Sequence, residues 1–273
     1  MSAPVPPPVD LAPVDLAPVG LAINGHIATL TMQDPAKRNA LGSAMLAGLT
    51  SAFRSLEAQD IRAVVLRARP DDRVWCAGFD IGDLKPDFDP LAQDGPLQAL
   101  FRCVAECRAP VVAMLHGSAW GGGTDLALRC DIAVADPTCT LAFTPARLGL
   151  PYDADGLLNV LLRGGMHVAM EMFSTADPVQ AERALALRLV NHVVPEVELE
   201  AFTFALAGRI AANAPLSVAS AKQQLRALAQ AMPMPPALTQ RLQEGRRRAL
   251  QSDDYRDGLA AFHARRAPVF SGQ

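Results

Sequence analysis

Ala119-Trp120-Gly121-Gly122-Gly123-Thr124-Asp125-Leu126-Ala127-Leu128 joins two kinds of pattern. Before it lies a β-rich apolar run, Val111 to Leu115, followed by His116-Gly117. After its three glycines comes an Ala/Leu segment that reads as a helix, leading into Arg129-Cys130-Asp131-Ile132-Ala133-Val134-Ala135. Glycines where a helix begins let another group approach the backbone closely and leave N–H groups pointing outward. With the positive end of the helix dipole behind them, such groups suit an anion or a developing oxyanion. A second loop of the same kind, Trp75-Cys76-Ala77-Gly78-Phe79-Asp80-Ile81, follows the strand-like Ala63-Val64-Val65-Leu66-Arg67. Taken alone, a triple glycine is more often a tight turn than a reactive loop. It also lacks the Gly-Lys-Ser/Thr ending of a phosphate loop and the spacing of a dinucleotide fingerprint. The functional weight comes from two such loops in this order, each after a strand.

The chain has 273 residues, half of them hydrophobic, and a net charge of −3, so it can bury a large core and has no basic excess for nucleic acid or anionic membranes. The Pro-rich start lacks the basic region and continuous apolar core of a secretory signal, and no apolar run has the length of a membrane span. Five cysteines, Cys76, Cys103, Cys107, Cys130 and Cys139, form no CxxC pair. Cys103 and Cys107 lie one helical turn apart, but no second His/Cys cluster completes a four-ligand metal set. Free thiols in a reducing cytoplasm are the expectation, with no metal.

Residues 1–20 hold six prolines and a short repeat, Val9-Asp10-Leu11-Ala12-Pro13 then Val14-Asp15-Leu16-Ala17-Pro18. That density opposes regular hydrogen bonding and predicts an extended, mobile tail. Asn24-Gly25, between apolar alternations running from Leu21 to Met32, signals a hairpin. Met45, Leu46, Leu49, Phe53 and Leu56 have helical spacing within Ser43 to about Ala58, and a further helix is expected around Leu97–Cys107. Strands alternating with helices predict an α/β architecture with crossover connections. From about Leu199 the pattern turns almost wholly helical, broken at Pro215 and at Met232-Pro233-Met234-Pro235-Pro236. The expected divisions are 1–20, 21–198 and 199–273.

Cys76-Ala77-Gly78-Phe79-Asp80-Ile81, followed about forty residues later by Ser118-Ala119-Trp120-Gly121-Gly122-Gly123-Thr124-Asp125-Leu126-Ala127-Leu128, resembles the enoyl-CoA hydratase/isomerase (crotonase) superfamily. The likeness extends from about Leu21 to the end. It takes in Asp34-Pro35-Ala36-Lys37-Arg38-Asn39-Ala40-Leu41, Pro110-Val111-Val112-Ala113 and Phe262-His263-Ala264-Arg265-Arg266-Ala267-Pro268-Val269-Phe270. Within the superfamily, Ser118-Ala119-Trp120-Gly121-Gly122, Phe143-Thr144-Pro145, Leu148-Gly149-Leu150-Pro151-Tyr152 and Leu189-Val190-Asn191-His192-Val193-Val194 are similar to the branch that decarboxylates methylmalonyl-CoA. The resemblance implies a spiral of repeated ββα turns with C-terminal helices that pack trimers, or hexamers as dimers of trimers. It also implies an acyl-CoA substrate and no separate cofactor.

The same resemblance implies roles residue by residue. The amides of Phe79 and Gly122 form an oxyanion hole for a thioester enolate. Many decarboxylase relatives carry histidine at position 79, so Phe79 is a departure that removes a polar contact. Ala77, Asp80, Ile81, Trp120 and Gly121 line the substrate, Trp120 as a pocket wall. Lys37 and Arg38 sit where relatives contact the CoA nucleotide, and Phe262, Arg265 and Arg266 reach a neighbouring subunit's ligand. Without the resemblance, Arg265-Arg266 reads as a solvated basic helix end. Hydration needs two carboxylates sharing one water. Asp125 matches one; the other position is Ala146, which cannot move a proton. A decarboxylase needs no base, and Tyr152 matches the tyrosine beside the substrate carboxylate. The expected activity is therefore a lyase converting methylmalonyl-CoA, or a close malonyl analogue, to propionyl-CoA. The alternatives are a hydratase or isomerase using Asp125, and a non-catalytic CoA-thioester binder. Asp125 is open to two readings, residual catalytic carboxylate or helix cap. The five histidines (His26, His116, His167, His192, His263) form no constellation.

Overall fold

The chain winds as a spiral between two sheets, passing from the large sheet to the small one and back in each turn. The computed structural model describes residues 14–16, 18–84, 89–229, 231 and 235–273. The chain opens with β1 (Val14–Leu16), β2 (Val19–Asn24) and β3 (Ile27–Met32), antiparallel neighbours, and then α1 (Ser43–Ser55). Three ββα turns follow: β4 (Ala63–Ala68), β5 (Val74–Cys76) and α2 (Pro96–Glu106); β6 (Val111–Leu115), β7 (Ser118–Trp120) and α3 (Gly122–Arg129); β8 (Ile132–Ala135), β9 (Thr140–Ala142) and α4 (Ala154–Thr175). β10 (Val179–Gln180), α5 (Ala181–Ala186) and β11 (His192–Val193) close the spiral. The first strand of each turn joins the large sheet, ordered β1-β2-β3-β4-β6-β8-β11. The second joins a small sheet, ordered β10-β9-β7-β5. β3, β4, β6, β8 and β11 are mutually parallel, as are β5, β7 and β9.

The large sheet is covered on both faces, which is why β4 and β6 read as continuous apolar runs rather than alternating ones. Val64, Leu66, Val111, Ala113 and Leu115 face the main core with the helices of the spiral. Ala63, Val65, Val112, Met114 and Val134 face α6 (Leu199–Ala212) through Leu199 and Ala207. α7 (Pro215–Ala229), α8 (Pro236–Leu250) and α9 (Asp253–His263) complete the C-terminal part. α9 is N-capped by Ser252, whose side chain accepts from the Tyr255 N–H, and Tyr255 is fully buried. α9 docks tightly on the turn that precedes α4: a β-carbon added at Gly258 would lie 2.3 Å from the Leu148 carbonyl oxygen.

Two boundaries differ from the sequence reading. Among the described residues, Val14–Leu16, inside the segment 1–20 expected as a mobile tail, already form a strand, because their backbones pair along β2. The rest of that tail call, residues 1–13 and 17, lies outside the described residues, as does the 232–234 part of the Pro-rich break. In the first hairpin Asn24 pairs with Ile27, so the loop is Gly25-His26 rather than Asn24-Gly25. Only Gly25 of the two takes a positive φ (57°), as a two-residue turn with glycine first requires.

Candidate active site

The small sheet builds the site. β5 and β7 are parallel neighbours, so the segments leaving their C-terminal ends, 77–79 and 121–122, emerge side by side. Gly78 has φ +88° and lies so close to β7 that a β-carbon there would stand 2.4 Å from the Trp120 carbonyl oxygen. Gly121 has φ +48° and donates its N–H to the Ala142 carbonyl at the end of β9 (2.8 Å). Gly122 then opens α3, and a β-carbon added to it would lie 3.5 Å from the Phe79 nitrogen, 3.5 Å from Leu41 Cδ1 and 3.7 Å from Leu97 Cδ2. The amides of residues 79 and 122 are thus brought together beside an apolar wall. As the first residue of a helix, Gly122 has no intrahelical acceptor for its N–H. Thr124 pins the start of α3 by donating to the carbonyls of Ala119 and Ala142 (2.8 and 2.9 Å). Gly123 packs on β5, where a β-carbon would meet the Cys76 carbonyl at 2.6 Å.

The loop carrying Lys37 and Arg38 is tied to the same region. Ala77 N–H donates to the Arg38 carbonyl (3.0 Å), and Leu41 N–H to the Gly78 carbonyl (2.7 Å). Buried Asn39 donates to Asp72 and to the carbonyls of Val74 and Trp75. Lys37 and Asp80, both expected at the substrate, bond each other: Nζ donates to Oδ2 at 2.9 Å. That hydrogen bond and the Asp80 charge raise the Lys37 ammonium above its usual range; the same bond, the Gly82 N–H and the Lys37 charge hold the Asp80 carboxyl below its own. Arg38 is exposed, Ile81 opens a short 3-10 turn for which Asp80 is the N-cap, and the Trp120 indole N–H donates to Ser118. Phe262 and Arg265 lie at and just beyond the end of α9, both exposed.

Asp125 is not a helix cap. Fully buried in the first turn of α3, its carboxylate accepts from side chains: Arg129 Nε (3.0 Å) and its terminal nitrogen (3.2 Å), Asn159 (2.9 Å) and the Tyr152 hydroxyl (3.2 Å). The N-cap residue is Gly121, which leaves the acid free to turn inward. Arg129 stacks on the Phe101 ring, its guanidinium 4.1 Å from the centroid. The Tyr152 ring packs against both Phe143 and Phe173 (centroids 5.2 and 5.1 Å), which themselves stack 4.4 Å apart. A β-carbon at Gly156 would overlap the ring at 2.2 Å. Burial, with the charges of Asp125 and Asp153, holds this phenol well above its usual range, so it stays protonated.

Sequence reasoning missed Arg129, Asn159 and Asp153. Arg129 was findable as an i+4 partner of Asp125. Asp153 reads locally as an ordinary N-cap before α4. It is instead a second buried carboxyl, bonded by Gln98 Nε2 to Oδ2 (2.9 Å), and burial followed by the Asp125 charge pushes it up to about 6. Ala146, at the other expected carboxylate position, is exposed on the turn Pro145–Leu148. His116 bonds the Arg69 carbonyl and lines a separate cavity with Arg67, Asp72 and Asp136. All five cysteines are free thiols; burial raises Cys76, Cys130 and Cys139 to about 12, which makes them inert.

The comparisons with known proteins give the class to which this α/β spiral belongs. The profile described as enoyl-CoA hydratase/isomerase matches residues 22–273, and the chain belongs to that family. It is 37% identical over 247 residues to methylmalonyl-CoA decarboxylase of Escherichia coli, covering 90% of this chain and 95% of that one. It is 32% identical over 263 residues to a probable enoyl-CoA hydratase of Rhodobacter capsulatus, covering 92% and 96%. A solved methylmalonyl-CoA decarboxylase in complex with 2-nitronate-propionyl-CoA superposes with a TM-score of 0.91 at 36% identity, covering 93% of this chain and 98% of that chain. The C-terminal helices fit the helical region expected of the fold. Among the described residues no helix is long and apolar enough to cross a membrane.

Proposed function

We propose that the protein decarboxylates methylmalonyl-CoA, or a close malonyl thioester, to propionyl-CoA. The amides of Phe79 and Gly122 hold the thioester oxygen as negative charge develops on it. The observation that carries this reading is the apposition of those two amides against the wall of Leu41 and Leu97. Donors fixed before the reaction stabilise the enolate without reorganising, and each is worth about 10²–10³ in rate. CO₂ leaves with the carbon–carbon bond broken and the electron pair in the enolate, so no base is needed. Asp125 suits a base poorly, since Arg129, Asn159 and Tyr152 already occupy its carboxylate. That occupancy and Ala146 weigh against hydration.

Tyr152 has one hydroxyl proton, and in the free protein it donates that proton's hydrogen bond to Asp125. A substrate carboxylate brought beside the phenol competes for that proton, so the tyrosine orients the group without neutralising it. Loss of CO₂ relieves the competition, which is the kind of difference between ground and transition state that accelerates a reaction. Arg38, and Lys37 through its shared Asp80, would meet the nucleotide end of CoA, and Phe262 and Arg265 would complete the ligand site of a neighbouring copy. The reading calls for no cofactor, CoA being part of the substrate. It places the enzyme in the cytoplasm as a trimer or dimer of trimers. Exposed apolar residues on α4 (Leu162, Met166, Met170) and α7 (Leu216, Leu225, Leu228) support burial between copies.

Tyr152→Phe tests the role of the phenol. CO₂ release from methylmalonyl-CoA should slow by about 5- to 150-fold, equivalent to ~1–3 kcal/mol for an unpaired partner. Propionyl-CoA affinity by calorimetry should hold. Equal losses in both would make Tyr152 a packing residue.

A further inference from the structure

We propose that Asp153 is the acid that returns a proton to the acyl α-carbon after CO₂ departs. The inference rests on the enolate reading above.

Asp153 occupies the N-cap of α4 with extended backbone (φ −84°, ψ 161°), where a carboxylate ordinarily accepts N–H groups of the first turn. It makes no such cap bond. The side chain is 5% exposed and turns toward α2, where buried Gln98 holds Oδ2. Gln98 follows Leu97, the residue packed against Gly122, and Asp153 follows Tyr152; a β-carbon at Gly156 would meet both the Tyr152 ring (2.2 Å) and Asp153 Oδ1 (3.0 Å), so this oxygen lies beside the tyrosine that bonds Asp125. Its Oδ1 is buried and has no hydrogen-bond partner among the described residues. An ionised carboxylate left with one unsatisfied oxygen in a buried site is costly, whereas a protonated one keeps an O–H to give. The charged groups facing it are Asp125 and Arg129 of α3, Asp155 of α4 and Arg246 of α8. Burial and the two aspartates favour the neutral acid, against the two arginines. Arg129 is already paired with Asp125, and Arg246 with Asp89.

The step balances simply. Breaking the carbon–carbon bond leaves its electron pair in the enolate, and CO₂ departs. The enolate carbon–carbon π pair then takes the proton of the Asp153 carboxyl to form the new C–H bond, and the thioester carbonyl is restored. The O–H pair stays on Asp153 as carboxylate, which is reprotonated from water before the next turnover.

The reverse of that step, removal of an α-proton by the carboxylate, gives the test. Full-length protein is incubated with propionyl-CoA in D₂O, and α-deuterium is followed by mass spectrometry, alongside CO₂ release from methylmalonyl-CoA. Wild type should exchange, with a rate rising through an ascending pH limb. Isosteric Asp153→Asn, with folding checked by circular dichroism, should exchange at least about 10²-fold more slowly and lose the limb. Gln98→Leu, which removes a donor to the charged form, should move the limb to higher pH, a response that a purely structural carboxyl would not give. Exchange by a folded Asp153→Asn variant within about threefold of wild type, or no exchange by wild type, would overturn the proposal. Asp153-dependent exchange without CO₂ release would uphold the acid and instead remove the decarboxylase reading.

Discussion

At Gly122 the N–H that opens α3 stands beside the Phe79 amide, and the neighbouring space is ordinary: Leu41, Leu97 and the Phe79 nitrogen all lie 3.5–3.7 Å from a would-be β-carbon. Proline is tolerated at the first position of a helix, so Gly122→Pro deletes the donor with little steric insult. Turnover should fall by at least about 10²-fold with the far-ultraviolet spectrum unchanged; near-normal kinetics in a folded variant would remove Gly122 from the oxyanion site. Asp153 makes a prediction of the opposite kind, a gain in stability. Its carboxyl titrates at about 6 in the folded chain against a usual 3.8. Its contribution to stability is therefore fully present below about pH 4 and is lost as pH rises through about 6. Asp153→Asn should stabilise the protein at pH 8 by up to about 3 kcal/mol, from ~1.4 kcal/mol per unit of displacement. The advantage should vanish near pH 4, and paired thermal melts at the two pH values measure it.

Among elements, the parallel pair β5 and β7 does the positioning, and Gly78 sets their spacing. Any side chain there meets the Trp120 carbonyl at 2.4 Å, in a backbone conformation (φ +88°) that L-residues rarely adopt. Gly78→Ala should lower the melting temperature, consistent with ~1–3 kcal/mol of strain, and should also reduce kcat, because the two amides separate. A stability loss with kcat intact would show that the loops keep their spacing by other means. These short strands also mark what the sequence hides. β6 was legible as an unbroken apolar run, β4 as one from Ala63 to Leu66, and α1 from the spacing of Met45, Leu46, Leu49 and Phe53. β5, β7 and β9 are three residues each, too short to show an alternation, and they read as parts of loops. The glycine loops were therefore visible while the sheet that aligns them was not.

Across the whole molecule, the site draws on segments far apart in sequence: the amides of residues 79 and 122, Gln98 on α2, and Tyr152, Asp153 and Asn159 at and within the start of α4. No local pattern links Asp125 to Asn159 or Gln98 to Asp153. Those contacts exist because consecutive spiral turns pack α2 on α3 and α3 on α4, and only Arg129 lay within a helical turn of its partner. The family likeness supplied Phe79, Gly122 and Tyr152 as site residues, but it gave no reason to single out a carboxyl that resembles a helix cap. In the proposed reading, a bound thioester would face the amides of residues 79 and 122, a tyrosine shared with a buried aspartate and a second carboxyl. Loss of CO₂ can use that set; hydration lacks its second carboxylate at Ala146. The most direct measurement offers purified protein methylmalonyl-CoA and crotonyl-CoA in parallel and follows both by mass spectrometry. Propionyl-CoA and CO₂ from the first, with crotonyl-CoA unhydrated, is the expected result. Hydration of crotonyl-CoA with methylmalonyl-CoA untouched would contradict it.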